Sequence, residues 1–361
     1  MQKNLKTMES VALSSLNGTY FSSLVPDVTI ALTGTAVKTR VRMTCNGTLF
    51  YEEALWPVAG TVTIMELGDL FAPYAQKFLA VTIGIESQPL NTDDEEVGAP
   101  TSSTISVLFS RADVGVPASE FYTSHFLTIL QGTKITARGR LEYLYYYGSE
   151  AARVKAEYDD GSIQWFDALQ SGGSSVYTQL DVSPDYYTIT GRQLVAYTVT
   201  AGLRSQRFEM DLSEPDCAPI MEFYNSFGVW ELLYCTGTHQ VTPEYKRSST
   251  RVNGRMRNYL IEESRNFKAD TGFLNTAMAN WADDLFRSDM VYVVNVVDGQ
   301  LTSIGGGREV VITDSKSDNS NDDDHMPRFT FTYQYAQRNH NVLQMNRVGR
   351  IFDNTFDHTF S

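Results

Sequence analysis

Asn-Gly or Asp-Gly stands at five places in the chain: Asn17-Gly18, Asn46-Gly47, Asp160-Gly161, Asn253-Gly254 and Asp298-Gly299, each between runs with strand character. A two-residue type I′ turn needs positive φ at both central positions, and these dipeptides supply it. The neighbouring runs alternate apolar and polar residues, as a strand buried on one face requires. Val28, Ile30 and Leu32 alternate in one run, and Val81, Ile83 and Ile85 in another. The pattern predicts a mainly β chain made of hairpin-rich β-sandwich domains.

The longest candidate strand covers 134–147, with Ile135, Ala137, Leu141, Tyr143 and Tyr145 on one face. Thr136, Arg138, Arg140 and Glu142 fall on the other, expected to be solvated. A hairpin of 153–158 with 162–166 is expected around Asp160-Gly161, followed by a strand carrying Val195, Tyr197 and Val199. Pro73 interrupts an amphipathic stretch at 67–78, which receives no assignment. Asp93, Asp94, Glu95 and Glu96, flanked by Pro89 and Pro100, mark 86–103 as an exposed loop.

A domain boundary is expected near Ala201-Gly202, after which alternation restarts with Phe208, Met210 and Leu212. Strands are expected at 220–224, 229–235 and 256–263, then one helix over 272–287. Thr271 is the candidate cap, and Phe273, Leu274, Ala277, Met278, Trp281 and Leu285 share the apolar face. Strands return at 291–297, 300–304, 310–313 and 329–335. The domains expected are therefore 1–202, an N-terminal β domain; 203–340, a β-sandwich with a single packed α-helix; and 341–361, a C-terminal arm with Ile351, Phe352, Phe356 and Phe360 as anchors.

The signals for chemistry are poor by comparison. His125, His239, His325, His340 and His358 have no metal-ligand spacing, and no GxSxG elbow or Walker loop occurs. Gly305-Gly306-Gly307 leads into a strand, whereas a phosphate cradle should open a helix. The Asp-rich stretch 315–325 lacks the glycine and glutamate of an EF-hand loop. Cys45, Cys217 and Cys235 suit neither a disulfide framework nor a CxxC site and are expected as small buried hydrophobes. No catalytic, cofactor-binding or metal-binding residue is assigned, and the chain is not expected to be an enzyme. Tyr143, Tyr145, Tyr146 and Tyr147, with Trp56 and Trp165, leave two readings open, platforms for stacking sugars or sheet core.

The 43 acidic and 29 basic residues give a formal charge of -14. That disfavours phosphate-backbone binding, so no specific nucleic acid is expected as a partner. No apolar run approaches the roughly 18 residues of a membrane span, and neither a signal peptide nor membrane insertion is expected.

From about Arg204 to Asn341 the order of features resembles a family of structural tail and baseplate proteins of Bacteroides-type phages and prophages, of the distal-tail or tail-tube kind. The resemblance rests on 223–231 (Phe-Tyr-Asn-Ser-Phe-Gly-Val-Trp-Glu), the hairpin 247–259, Thr271 to Leu274 opening the helix, Arg287-Ser288 before Val291-Tyr292-Val293, and 329–333 (Phe-Thr-Phe-Thr-Tyr). It implies a virion structural protein in the tail, assembled in the host cytoplasm. Its implied partners are copies of itself in a ring, usually hexameric, and other tail proteins. The alternative is a carbohydrate-binding or adhesin module that recognises host surface glycan.

Overall fold

The computed structural model describes residues 10–174, 176–297, 300–301, 308–318 and 326–336. The fold is mainly β, and the chain divides into two compact units, 1–123 and 124–361. The boundary expected near residue 202 lies instead at the turn of a hairpin inside the second unit. Leu194–Ala201 and Arg204–Met210 pair antiparallel, with Ala201 opposite Arg204.

The first unit holds a five-stranded sheet in the order Gly18–Phe21, Thr101–Leu108, Ala80–Leu90, Lys38–Cys45, Thr48–Leu55. Val41, Met43, Ile83 and Ile85 are fully buried at alternate positions, as period-two patterning requires. The stretch left unassigned is helix α1, Leu67–Phe78. Leu67, Phe71 and Ala75 recur every four residues on its buried side, while Pro73 sits on the exposed side. Gly68 is obligatory there, since a Cβ would come within 2.2 Å of the Ser22 carbonyl oxygen. The expected acidic loop is shorter than 86–103, because the flanking strands run to Leu90 and restart at Thr101.

The second unit opens with a β-sandwich. One sheet has the order Ile163–Asp167, Ala152–Tyr158, Leu194–Ala201, Arg204–Met210, Lys134–Thr136, and the other Tyr143–Tyr146, Thr178–Asp181, Leu169–Gly173. Leu144, Tyr146 and Leu180 of the smaller sheet meet Val154, Tyr197 and Phe208 of the larger in one buried cluster. Tyr197 stacks on its cross-strand partner Phe208 with ring centroids 4.7 Å apart.

The run 134–147 is therefore two strands in two sheets. Between them Gly139 takes a positive φ, and the Leu141 N–H donates to the Tyr234 hydroxyl at 2.7 Å. The face expected to be solvated is largely enclosed by this crossing. Thr136, Arg140 and Glu142 are buried, with Arg140 against the Tyr234 ring.

The remainder is a seven-stranded sheet, in order Trp230–Tyr234, Ile220–Tyr224, Val291–Val294, Arg308–Asp318, Arg328–Tyr335, Arg255–Asp270, His239–Val252. A short helix α2, Ala118–Ser124, comes earlier in the chain, and helix α3, Thr276–Arg287, packs Met278, Trp281, Ala282 and Leu285 against Met221, Phe223, Leu233 and Phe331. It starts later than the expected 272–287. Thr271 follows the end of the strand Arg255–Asp270, where its hydroxyl accepts from the Phe329 N–H and donates to the Gly272 carbonyl. Asn275 is the cap, its Oδ1 accepting from the Met278 N–H at 2.8 Å.

Of the five turn dipeptides, two are two-residue turns with positive φ at both positions: Asn46-Gly47 joins Cys45 to Thr48, and Asn253-Gly254 joins Val252 to Arg255. Asp160-Gly161 closes a longer loop in which only Gly161 has positive φ. Asn17-Gly18 makes no hairpin, because Gly18–Phe21 pairs parallel with Thr101–Leu108. Asp298-Gly299, the glycine run at 305–307 and the arm at 341–361 lie outside the described residues.

Candidate assembly surface

Several ionisable side chains of the second unit are built into its core. Lys134 Nζ lies 2.6 Å from Glu142 Oε2 and 4.5 Å from the centre of the Trp281 ring, and all three residues are buried. Glu231 Oε2 accepts from Trp281 Nε1 at 2.9 Å, and burial raises the pKa of its carboxyl. Asp284 accepts from the backbone N–H and hydroxyl of Ser226, and burial likewise raises its pKa. Desolvation pushes Glu222 to about 7. Lys134, Glu142, Glu231 and Asp284 cross-link packed elements, and among the described residues no cluster of three or more His, Cys, Asp or Glu side chains could hold a metal.

The tyrosine cluster is core. Tyr145, Tyr146 and Tyr147 are buried, and desolvation raises all three hydroxyl pKa values. Tyr146 donates to the Glu150 carbonyl at 2.6 Å. Only Tyr143 is partly exposed, and burial pushes its pKa up to about 12. Trp56 and Trp165, by contrast, are exposed. Cys45 and Cys235 are buried thiols, and Cys217 is half-buried beside Arg140. His239 Nε2 lies 2.8 Å from the Tyr333 hydroxyl, and burial lowers its pKa. His325, His340 and His358 lie outside the described residues.

Trp165 belongs to an exposed apolar stretch of the sandwich. Ile163–Asp167 is hydrogen-bonded only to Ala152–Tyr158, and Leu169–Gly173 only to Thr178–Asp181, among the described residues. The two strands follow one another, leaving a free edge over 163–173. Phe166 and Ala168 turn inward against the core, so the alternate positions turn outward. Ile163, Trp165 and Leu169 are 54%, 56% and 48% exposed on that outer side. Edges of this kind offer unpaired N–H and C=O groups to another strand.

The hairpin strand at 162–166 was legible, but the sequence does not show that a second strand follows at Leu169–Gly173 or that no neighbour pairs with the edge of either. A local reading cannot count neighbours across a sheet. The second exposed element is the hairpin 239–270. Among the described residues, its strand Arg255–Asp270 pairs with the rest of the sheet only through Phe267 to Asp270, opposite Tyr333 to Thr330, and beyond Phe267 the two strands run on as a ribbon.

No family model matches the chain, and no curated protein matches it. Among solved structures, three immunoglobulin domains of titin, in an E-to-A mutated variant, are 13% identical, covering 73% of this chain and 92% of that one with a TM-score of 0.18. A likeness at that score carries no argument. No helix among the described residues is long and apolar enough to cross a membrane.

Proposed function

We propose that the protein is a non-enzymatic structural component of a phage virion, a tail or baseplate ring protein that works by packing against copies of itself and against other tail proteins. The observation that carries this reading is the free edge 163–173 with its outward apolar side chains. A natural sheet edge is usually blunted by charge, proline or cover, whereas this one, with the single charge of Asp167, presents Ile163, Trp165 and Leu169. Pairing between protomers satisfies the backbone and buries those side chains together. Repeated head to tail, such a contact closes a ring when the rotation between copies allows it. The resemblance of 204–341 to phage tail proteins supports the same reading, in which assembly occurs in the host cytoplasm.

The test is a double substitution, Ile163→Lys with Trp165→Lys, followed by sedimentation of the full chain. Both side chains are exposed, so folding survives and the reading requires loss of self-association. An oligomer unchanged by these substitutions would refute the edge as its contact.

A second reading, glycan recognition by an adhesin-type module, is favoured by the exposure of Trp56 and Trp165. Trp165 stands on a sheet face beside Lys155 and its ion partner Glu157, a flat polar surround on which a sugar ring could stack. Specific binding on a glycan array, abolished by Trp165→Ala with the oligomer intact, would select this reading over the first.

A further inference from the structure

The ribbon 239–270 has a charge distribution opposite to that of the chain. Residues 245–261 contain Lys246, Arg247, Arg251, Arg255 and Arg257 and no Asp or Glu. The chain as a whole carries -14, so everything outside this segment carries -19. Carboxylates resume at the ribbon's base, with Glu244, Glu262 and Glu263. None of the five cations is ion-paired among the described residues; Arg247 rests on the Tyr245 ring at 5.1 Å. Met256 and Tyr259 near the tip are 65% and 69% exposed.

The register distributes these cations over both faces. Residues directly opposite in an antiparallel pair share a face, and successive residues alternate. Val252 pairs with Arg255, Thr250 with Arg257, and Lys246 with Glu262, which puts Arg255, Arg257 and Lys246 on one face. Arg251 pairs with Met256 and Arg247 with Ile261, which puts Arg251 and Arg247 on the other. A flat acidic protein surface can engage one face of a ribbon. Cations on both faces suit a ligand with negative charge on either side of the ribbon, and the major groove of B-form DNA, walled by two phosphate strands, admits a two-stranded β-ribbon.

Distance removes the objection from net charge. From Phe267 to Gly254 the strand advances about 40 Å at roughly 3.3 Å per residue. Repulsion between solvated charges is screened over about 8 Å at physiological salt. The acidic body therefore contributes little at the tip, where the local field is positive.

We infer that the ribbon tip at 245–261 is a binding site for duplex DNA, engaged through phosphate contacts from both faces and without base-sequence preference. Contacts to phosphate carry no sequence information. The inference is independent of the edge 163–173 and adds a partner that ring assembly does not require.

The experiment is fluorescence anisotropy of the full chain with a fluorescein-labelled 20-base-pair DNA duplex at 50 and 200 mM salt. Five phosphate contacts at a slope of about -0.9 each weaken binding roughly 500-fold between those two conditions. The triple variant Arg251→Gln, Arg255→Gln, Arg257→Gln changes only exposed side chains, so circular dichroism is expected to match wild type. It should bind at least tenfold more weakly at 50 mM salt, with a slope shallower by about 2.7. Duplex RNA should bind more weakly than DNA, because the A-form major groove is narrow. No wild-type binding at 50 mM salt, equal binding by the triple variant, or equal affinity for duplex RNA would overturn the inference. It would also be overturned if the variant lost self-association while wild type bound no DNA, since the cations would then serve a second copy of the chain.

Discussion

Trp281 Nε1 donates to Glu231 Oε2 at 2.9 Å, joining the centre of helix α3 to the strand Trp230–Tyr234 beneath it. Both residues are buried, and Lys134 lies over the Trp281 ring from a third element. A buried polar group that loses a hydrogen-bond partner bears part of its desolvation cost uncompensated. Trp281→Phe is expected to destabilise the second unit by about 2–4 kcal/mol, through a buried acceptor deprived of this donor plus lost packing volume. Glu231→Gln keeps an acceptor and is expected to cost less than about 1 kcal/mol. Urea denaturation of both variants checks the order, and an equal effect would contradict it.

Glu222 gives the fold a pH dependence of definite sign. Burial raises its folded-state pKa to about 7, above the ordinary 4.5. Its favourable contribution is fully present below pH 4.5 and is lost as pH rises through 7, because the unfolded chain releases a proton that the folded chain retains. Glu222→Gln should therefore match wild type near pH 4 and exceed it by about 1–3 kcal/mol at pH 8. Denaturation midpoints at the two values measure this, and a variant advantage at low pH would reverse the sign.

The cap of α3 provides a local test. Asn275 Oδ1 accepts from Met278 N, and its Nδ2 donates to the Thr133 carbonyl at 2.9 Å. Asn275→Ala should cost about 1–2 kcal/mol, whereas Asn275→Asp retains the capping acceptor and should recover part of that loss. Thermal melts of the two variants distinguish them.

The course of the chain near α3 shows what sequence could and could not disclose. The apolar stripe Met278, Trp281 and Leu285 was legible because helical periodicity is local. The cap was misplaced because Thr271 and Asn275 are both competent, and the choice depends on the strand Arg328–Tyr335, which claims Thr271 from 58 residues away. The run 134–147 misled for a related reason. Alternation continues through it, but Gly139 turns the chain between two sheets, and Arg140 and Glu142 are enclosed by elements that come later in the sequence.

The turn dipeptides divide similarly. Asn46-Gly47 and Asn253-Gly254 make the turns expected, whereas Asn17-Gly18 leads into a parallel pairing that no local signal announces. Of the free edge 163–173, the strand through Phe166 was readable, but the strand Leu169–Gly173 and the edge itself were not. The basic segment 245–261 was present in the sequence and concealed by the sum, since a chain total of -14 masks five cations concentrated on one ribbon.

The central claim, assembly through copies of this chain, is tested most directly by native mass spectrometry of the purified full-length protein over a range of concentrations, with electron microscopy of the same sample. The account predicts a discrete closed oligomer seen as rings, dissociated by the paired substitutions Ile163→Lys and Trp165→Lys. A strict monomer at every concentration, alone and with tail proteins, would contradict it.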